Sequence, residues 1–96
     1  MEGKIERLAV IGAGKMGALL ISALTRSGVV ATDRVVATAS SEERRLHLRD
    51  DYGVRAIRDN REAAKGADVV LLAVKPQIAA RVLAELAEVL ALGDRS

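Results

Sequence analysis

Three glycines stand at a fixed interval in Gly12-Ala13-Gly14-Lys15-Met16-Gly17, between two segments of different character. Before them, Arg7-Leu8-Ala9-Val10-Ile11 is a short apolar run that stops at Gly12. By length and bounding it reads as a buried strand. After them, Met16, Leu19, Leu20, Ala23 and Leu24 recur at helical spacing, and Gly28 is placed to end that helix. Glycines at this spacing are costly in chain entropy unless something needs the space they leave. Each has a physical task in a strand-to-helix turn that cradles a diphosphate. Gly12 permits the tight turn, Gly14 lets the backbone approach the diphosphate without a Cβ in the way, and Gly17 lets the helix pack closely on the sheet. The start of the helix then offers free N–H groups and the positive end of its dipole to the phosphates. A glycine-rich turn with no ligand is the plainer alternative, and it leaves the spacing unexplained.

The remainder of the chain repeats the alternation of strand and helix. Val35-Val36-Ala37-Thr38 reads as a second strand. Ser40-Ser41-Glu42-Glu43 predicts a capping box, with Ser40 as the cap and Glu43 reaching back. That helix should run to about Asp51 and end at Gly53. Val54-Arg55-Ala56-Ile57 is a short third strand, and Asn60 is a suitable cap for a brief helix through Lys65. Residues 67–74 form the most apolar segment and predict a central strand, apolar on both faces. Pro76 suits the first turn of a last helix, with Ile78, Val82, Leu86 and Val89 as its apolar stripe. Residues 92–96 read as a frayed end. The expected fold class is α/β, a Rossmann-like parallel sheet of about four strands with flanking helices and right-handed crossovers. A complete dinucleotide fold has two βαβαβ halves, so residues 1–96 read as a dinucleotide-binding domain that is incomplete.

Composition narrows the function classes. There is no cysteine and a single histidine, His47, which excludes disulfides, thiolate metal sites and a histidine metal cluster. The net charge of the chain is +2, and positive and negative residues are interspersed along residues 42–65, a solvated mixed surface. Without a basic block or interleaved aromatics, nucleic-acid binding has little support. No apolar run approaches a membrane span, and the first seven residues lack the apolar core of a signal peptide. A soluble cytoplasmic protein is the expectation. Tyr52 is the only aromatic residue, so the core must be built from Val, Leu, Ile and Ala.

The end of the second strand bears on which dinucleotide is bound. NAD-binding domains usually place an acidic residue there, about 20 positions after the glycines, to hold the ribose 2′-hydroxyl. Here the segment is Thr38-Ala39-Ser40-Ser41, with Arg44 and Arg45 within a turn. A 2′-phosphate would meet donors and no like charge, which favours NADP, with NAD as the alternative. Ser40 can cap its helix under either reading, and the two arginines can equally face solvent.

These residues resemble pyrroline-5-carboxylate reductase, which carries out the last step of proline biosynthesis. The resemblance rests on Ile11–Gly17, on the spacing to Thr38-Ala39-Ser40-Ser41, on Asn60, and on residues 67–77 ending in Ala73-Val74-Lys75-Pro76-Gln77. It implies cofactor contacts at Ile11, Gly12, Ala13, Gly14, Lys15, Met16, Ala39, Ser40, Asn60, Ala73, Val74, Lys75 and Pro76. Many members look like Asn-Arg at the two positions that are Ala39-Ser40 here, so one obvious 2′-phosphate ligand is missing. The resemblance implies an NAD(P)H-dependent oxidoreductase whose substrate, a small cyclic imine, is held largely by a helical second domain that also makes the dimer interface. No part of the sequence encodes such a domain, so the chain is expected to be a truncated member, inactive alone, from a homo-oligomeric parent. No catalytic residue and no metal ligand is expected in this part. Two other readings stay open. One is a non-catalytic dinucleotide-binding module that associates through an uncovered sheet edge. The other is the first domain of a hydroxyacid-type NADP dehydrogenase, against which the Lys75-Pro76-Gln77 segment speaks.

Overall fold

A computed structural model describes the backbone of residues 5–95 and the side chains as far as Val89. The elements are β1 (Leu8–Ile11), α1 (Lys15–Arg26), β2 (Val35–Thr38), α2 (Glu42–Tyr52), β3 (Arg55–Ile57), α3 (Asn60–Ala64), β4 (Val69–Leu72) and α4 (Pro76–Arg95), with a single 3₁₀ turn at Thr32–Arg34. The strands form one sheet in the order β3-β2-β1-β4, and every pairing is parallel. The expected α/β class is therefore observed.

Strand β1 is the centre of the packing because all four of its side chains are buried. Successive residues of a strand point to opposite faces, and here each face has its own cluster. Leu8 and Val10 pack with Ala18 and Ile21 of α1 and Leu48 of α2. Ala9 and Ile11 pack with Ala63 and Ala64 of α3 and Val82 and Leu86 of α4. The first two helices thus cover one face and the last two cover the other. The predicted stripe of α4 is the one used: Val82 and Leu86 are buried, and Ile78 packs against the same cluster.

Five local expectations are corrected. The face of α1 that meets the sheet is Gly17, Ala18 and Ile21, joined by Leu24 of the expected stripe, while Met16 and Leu19 are 63% and 64% exposed. This helix is apolar on most of its circumference, so spacing alone does not select a face; its small residues allow the close approach. The cap of α2 is Ser41, whose Oγ accepts from the Arg44 amide at 3.2 Å, one residue later than expected. With Arg44 at the third helical position there is no reciprocal capping box. The cap of α3 is Asp59, whose Oδ1 accepts from the Arg61 and Glu62 amides; Asn60 is the first helical residue. A carboxylate one residue earlier takes the capping role and accepts from two orphan amides of the first turn. Strand β4 lies at the edge of the sheet rather than inside it, and its residues are half-buried. Its two apolar faces arise because Val69 and Leu71 pack with one cluster and Val70 and Leu72 with the other. Coverage by helices on both sides, not a central place, sets that pattern. The expected frayed end is helical through Arg95, and Ser96 lies outside the described residues.

Asp68 joins the starts of β1 and β4. Its Oδ2 accepts from the Arg7 amide at 3.1 Å, and its own amide donates to the Arg7 carbonyl at 2.9 Å. Its role is structural. Among the described residues no helix is long and apolar enough to cross a membrane, and no group of three or more His, Cys, Asp or Glu is placed to hold a metal ion.

Candidate dinucleotide site

The strand order places a switch point between β1 and β4. The chain moves from β1 outward to β2 and β3, then crosses back to add β4 on the other side of β1. In open α/β sheets ligands bind at such a point, outside the carboxyl ends of the strands. The glycine turn leaves the end of β1 and residues 73–76 leave the end of β4, so both open on this crevice.

The turn is held by backbone contacts and by one hydroxyl. The Gly12 amide donates to Thr38 Oγ1 at 2.9 Å, and the Ala13 amide donates to the Thr38 carbonyl at 2.7 Å. Thr38 is buried at the end of β2, so its side chain and main chain together fix the exit from β1. The Ala73 amide donates to the Ile11 carbonyl at 2.8 Å and ties the end of β4 to the same place.

Each glycine meets the requirement read from its spacing. Gly12 has φ of 76°, in the left-handed region, and a Cβ there would collide with Val74 Cγ1. A Cβ on Gly17 would lie 3.0 Å from Ala13 Cβ and 3.4 Å from both Ala73 Cβ and Val10 Cγ1. Gly17 is thus where helix, turn and β4 exit come closest. Gly14 differs: a Cβ there would meet no atom within 4 Å. The space beside Gly14 is open, and no side chain caps the helix at that position. The first helical hydrogen bond runs from the Ala18 amide to the Gly14 carbonyl at 2.9 Å. Among the described residues the amides of Lys15, Met16 and Gly17 have no acceptor. A bare cradle with three free donors at a helix start suits a diphosphate in size and charge.

The structure groups most of the expected residues and separates one. Ile11 and Ala13 are buried, so only their main-chain atoms could meet a ligand, while Lys15 and Met16 are exposed beside the cradle. Val74 stands over Gly12 and Ala73 beside Gly17. Lys75 and Pro76 are exposed at the start of α4, where the Lys75 carbonyl accepts from the Ile78 and Ala79 amides at 2.9 and 3.0 Å. Ala39 is buried; its amide donates to the Ile57 carbonyl, and its carbonyl accepts from Arg45 Nη1 at 2.7 Å. Ser40 is exposed beside it. Asn60 follows β3, two strands away from β1, and its Nδ2 donates to Glu85 Oε1 of α4 at 3.3 Å. It is engaged with α4 rather than with the glycine turn. Thr38 was read as the last residue of a strand and as part of the ribose-end segment; it is instead buried, and its hydroxyl fastens the glycine turn.

The protein-family model described as NADP oxidoreductase, coenzyme F420-dependent, matches residues 7–92. The chain belongs to this family. Among its relatives, the pyrroline-5-carboxylate reductase of Vibrio alginolyticus is 48% identical over 77 residues, covering 80% of this chain and 28% of that protein. The Corynebacterium melassecola enzyme of the same name is 43% identical over 79 residues, covering 82% and 29%. Among solved structures, a pyrroline-5-carboxylate reductase from Coxiella burnetii matches with a TM-score of 0.77 and 34% identity, over 83% of this chain and 29% of that one. A Plasmodium falciparum pyrroline carboxylate reductase solved with NADP bound shares the fold, with a TM-score of 0.69 and 24% identity over 83% of this chain and 28% of that one. The resemblance read from the glycine turn and the 67–77 segment is thus borne out. The chain spans less than a third of the length of these relatives.

Proposed function

We propose that the Gly12–Gly17 turn holds the diphosphate of NADP, and that the chain is the cofactor-binding part of a reductase acting on 1-pyrroline-5-carboxylate to give proline. The open space at Gly14, bordered by the free amides of Lys15, Met16 and Gly17, carries this reading. Bound NADPH would supply the hydride, since the cofactor carries that chemistry. This chain's own residues would bind and orient it. Main-chain atoms of Ile11–Met16 would meet the diphosphate, Ala39 and Ser40 the adenine ribose, and Ala73–Pro76 the side toward the nicotinamide. Asn60 contributes only if its bond to Glu85 opens. The cyclic imine and the subunit contacts of a homo-oligomer are assigned to the more than two thirds of the relatives' length that lies outside the match. The family description and the absence of a carboxylate at Thr38-Ala39-Ser40-Ser41 support the choice of NADP.

Titration with NADPH and NADH, followed by cofactor fluorescence, tests the reading. Saturable binding of both, with NADPH tighter, is expected. Equal affinities would remove the 2′-phosphate argument, and no response to either cofactor would overturn the nucleotide assignment.

A further inference from the structure

We propose that a basic cleft at the amino ends of the strands, at the opposite edge of the sheet from the glycine turn, is a second anion site that takes a compact ligand bearing a diphosphate. Arg7, Arg34, Arg55 and Lys65 line it, together with Asp33 and Glu62. The inference is independent of the nucleotide reading above, which uses the carboxyl ends of the strands.

Sheet geometry brings the three arginines together. Arg7 and Arg34 immediately precede Leu8 and Val35, which are partners across β1 and β2, and Arg55 is itself the partner of Val36 across β2 and β3. They therefore start three neighbouring strands, about 5 Å from one strand to the next. They also share a face. By the alternation of side chains, Arg7 falls on the side of Ala9 and Ile11, Arg34 on the side of Val36, and Arg55 on the side of Ile57. All of those apolar residues belong to the cluster beneath α3 and α4, and Val36 and Ala63 line the same cleft. Helix α3 has only five residues and ends at Ala64, so it leaves the amino ends of this face open, with Lys65 at its own end. Gly66 follows with φ of 79°, and a Cβ there would lie 3.4 Å from Arg7 Nη1. The Arg7 guanidinium thus lies against the loop that carries Lys65.

The charge of this row is not balanced within the cleft. Among the described residues none of the four cationic side chains has an ion pair or a hydrogen bond. Asp68 accepts from the Arg7 amide, not from its side chain. Asp33 and Glu62 are the carboxylates of the lining, which leaves two positive charges in excess. Like charges on facing strand positions oppose pairing, and a bound anion would offset that repulsion. A guanidinium presents a planar fork of donors that matches phosphate oxygens in pairs, so forks on neighbouring strands can hold both phosphates of a diphosphate at once. The cleft measures about 330 Å³, at the small end of the range of ligand pockets, which suits a compact anion rather than a whole dinucleotide.

The test titrates inorganic pyrophosphate and orthophosphate into the ¹⁵N-labelled Gly14→Val chain, in which the glycine cradle is blocked. Pyrophosphate should move the amides of Leu8, Val36 and Ala67 saturably, and orthophosphate should bind about tenfold more weakly or worse, for want of the second fork. The unaltered chain saturated with NADPH should respond to pyrophosphate in the same way, and NADPH itself should leave these amides unshifted. Arg34→Gln and Arg55→Gln should each weaken pyrophosphate by about tenfold or more, the loss of one charge-assisted contact. Arg58→Gln removes the same charge just beyond the carboxyl end of β3 and should change the affinity little, because salt screens a charge at that distance. Circular dichroism confirms that each variant is folded. Retained affinity in both Arg34→Gln and Arg55→Gln, an equal loss in Arg58→Gln, or orthophosphate binding as tightly as pyrophosphate would overturn the proposal. The absence of saturable shifts at the three amides would overturn it as well. Failure of NADPH to bind the unaltered chain would overturn the nucleotide reading alone, since the Gly14→Val titration does not depend on it.

Discussion

Replacing Gly14 with Val should abolish dinucleotide binding and leave the fold almost untouched. Nothing lies within 4 Å of a Cβ at this position, and the backbone φ of −85° is one that any residue adopts. The valine would therefore add bulk only to open space, at a cost to folding of about 0.5 kcal/mol or less, as for most exposed substitutions. That space is the one a diphosphate needs. Charge-assisted hydrogen bonds are worth roughly 1.5–3 kcal/mol each, so losing two of them weakens binding by at least about 100-fold. Far-UV circular dichroism and a thermal melt should match the unaltered chain while cofactor fluorescence shows no saturation. Retained affinity in a folded Gly14→Val chain would contradict the assigned cradle.

The same substitution two residues earlier should have the opposite profile. In Gly12→Val the side chain would enter the left-handed region at φ of 76° and collide with Val74 Cγ1. The left-handed conformation costs an L-residue about 1–2 kcal/mol and overpacking about 1–3 kcal/mol, so a loss of about 2–5 kcal/mol is expected. Against a typical domain stability of roughly 5–15 kcal/mol, such a loss is large. Urea denaturation followed by circular dichroism measures it as a lowered midpoint. A midpoint equal to that of the unaltered chain would show that the turn adopts another conformation. The pair separates two duties within one motif: Gly12 serves the fold, and Gly14 serves the ligand.

The alternation of short apolar runs with helical spacing was enough to predict the parallel sheet and its helices, because β1 and the stripe of α4 are buried as their patterns require. The glycine spacing was legible for the same reason: Gly12 and Gly17 answer to local steric demands, and Gly14 leaves open space. What was not legible depended on choices between adjacent, chemically similar residues. Ser40 and Ser41 are equally good caps in isolation, as are Asp59 and Asn60; the path of the chain out of each strand decides between them. The buried face of α1 was misread because Met16 and Leu19 are as apolar as Ile21, and only the closeness demanded at Gly17 and Ala18 selects the other side. The edge position of β4 could not be read from its composition, since helices cover both its faces. The engagement of Arg45 with the Ala39 carbonyl needed coordinates as well, because the sequence does not distinguish it from Arg44.

Amide chemical shifts of the ¹⁵N-labelled chain during titration with NADPH test the central claim most directly. The largest and saturable changes should fall on Gly14, Lys15, Met16 and Gly17, with smaller ones at Ala39–Ser41 and Ala73–Lys75, all at the carboxyl ends of the strands. Shifts centred on the opposite edge of the sheet, around Arg7, Arg34 and Arg55, or no change at the four turn amides, would contradict it.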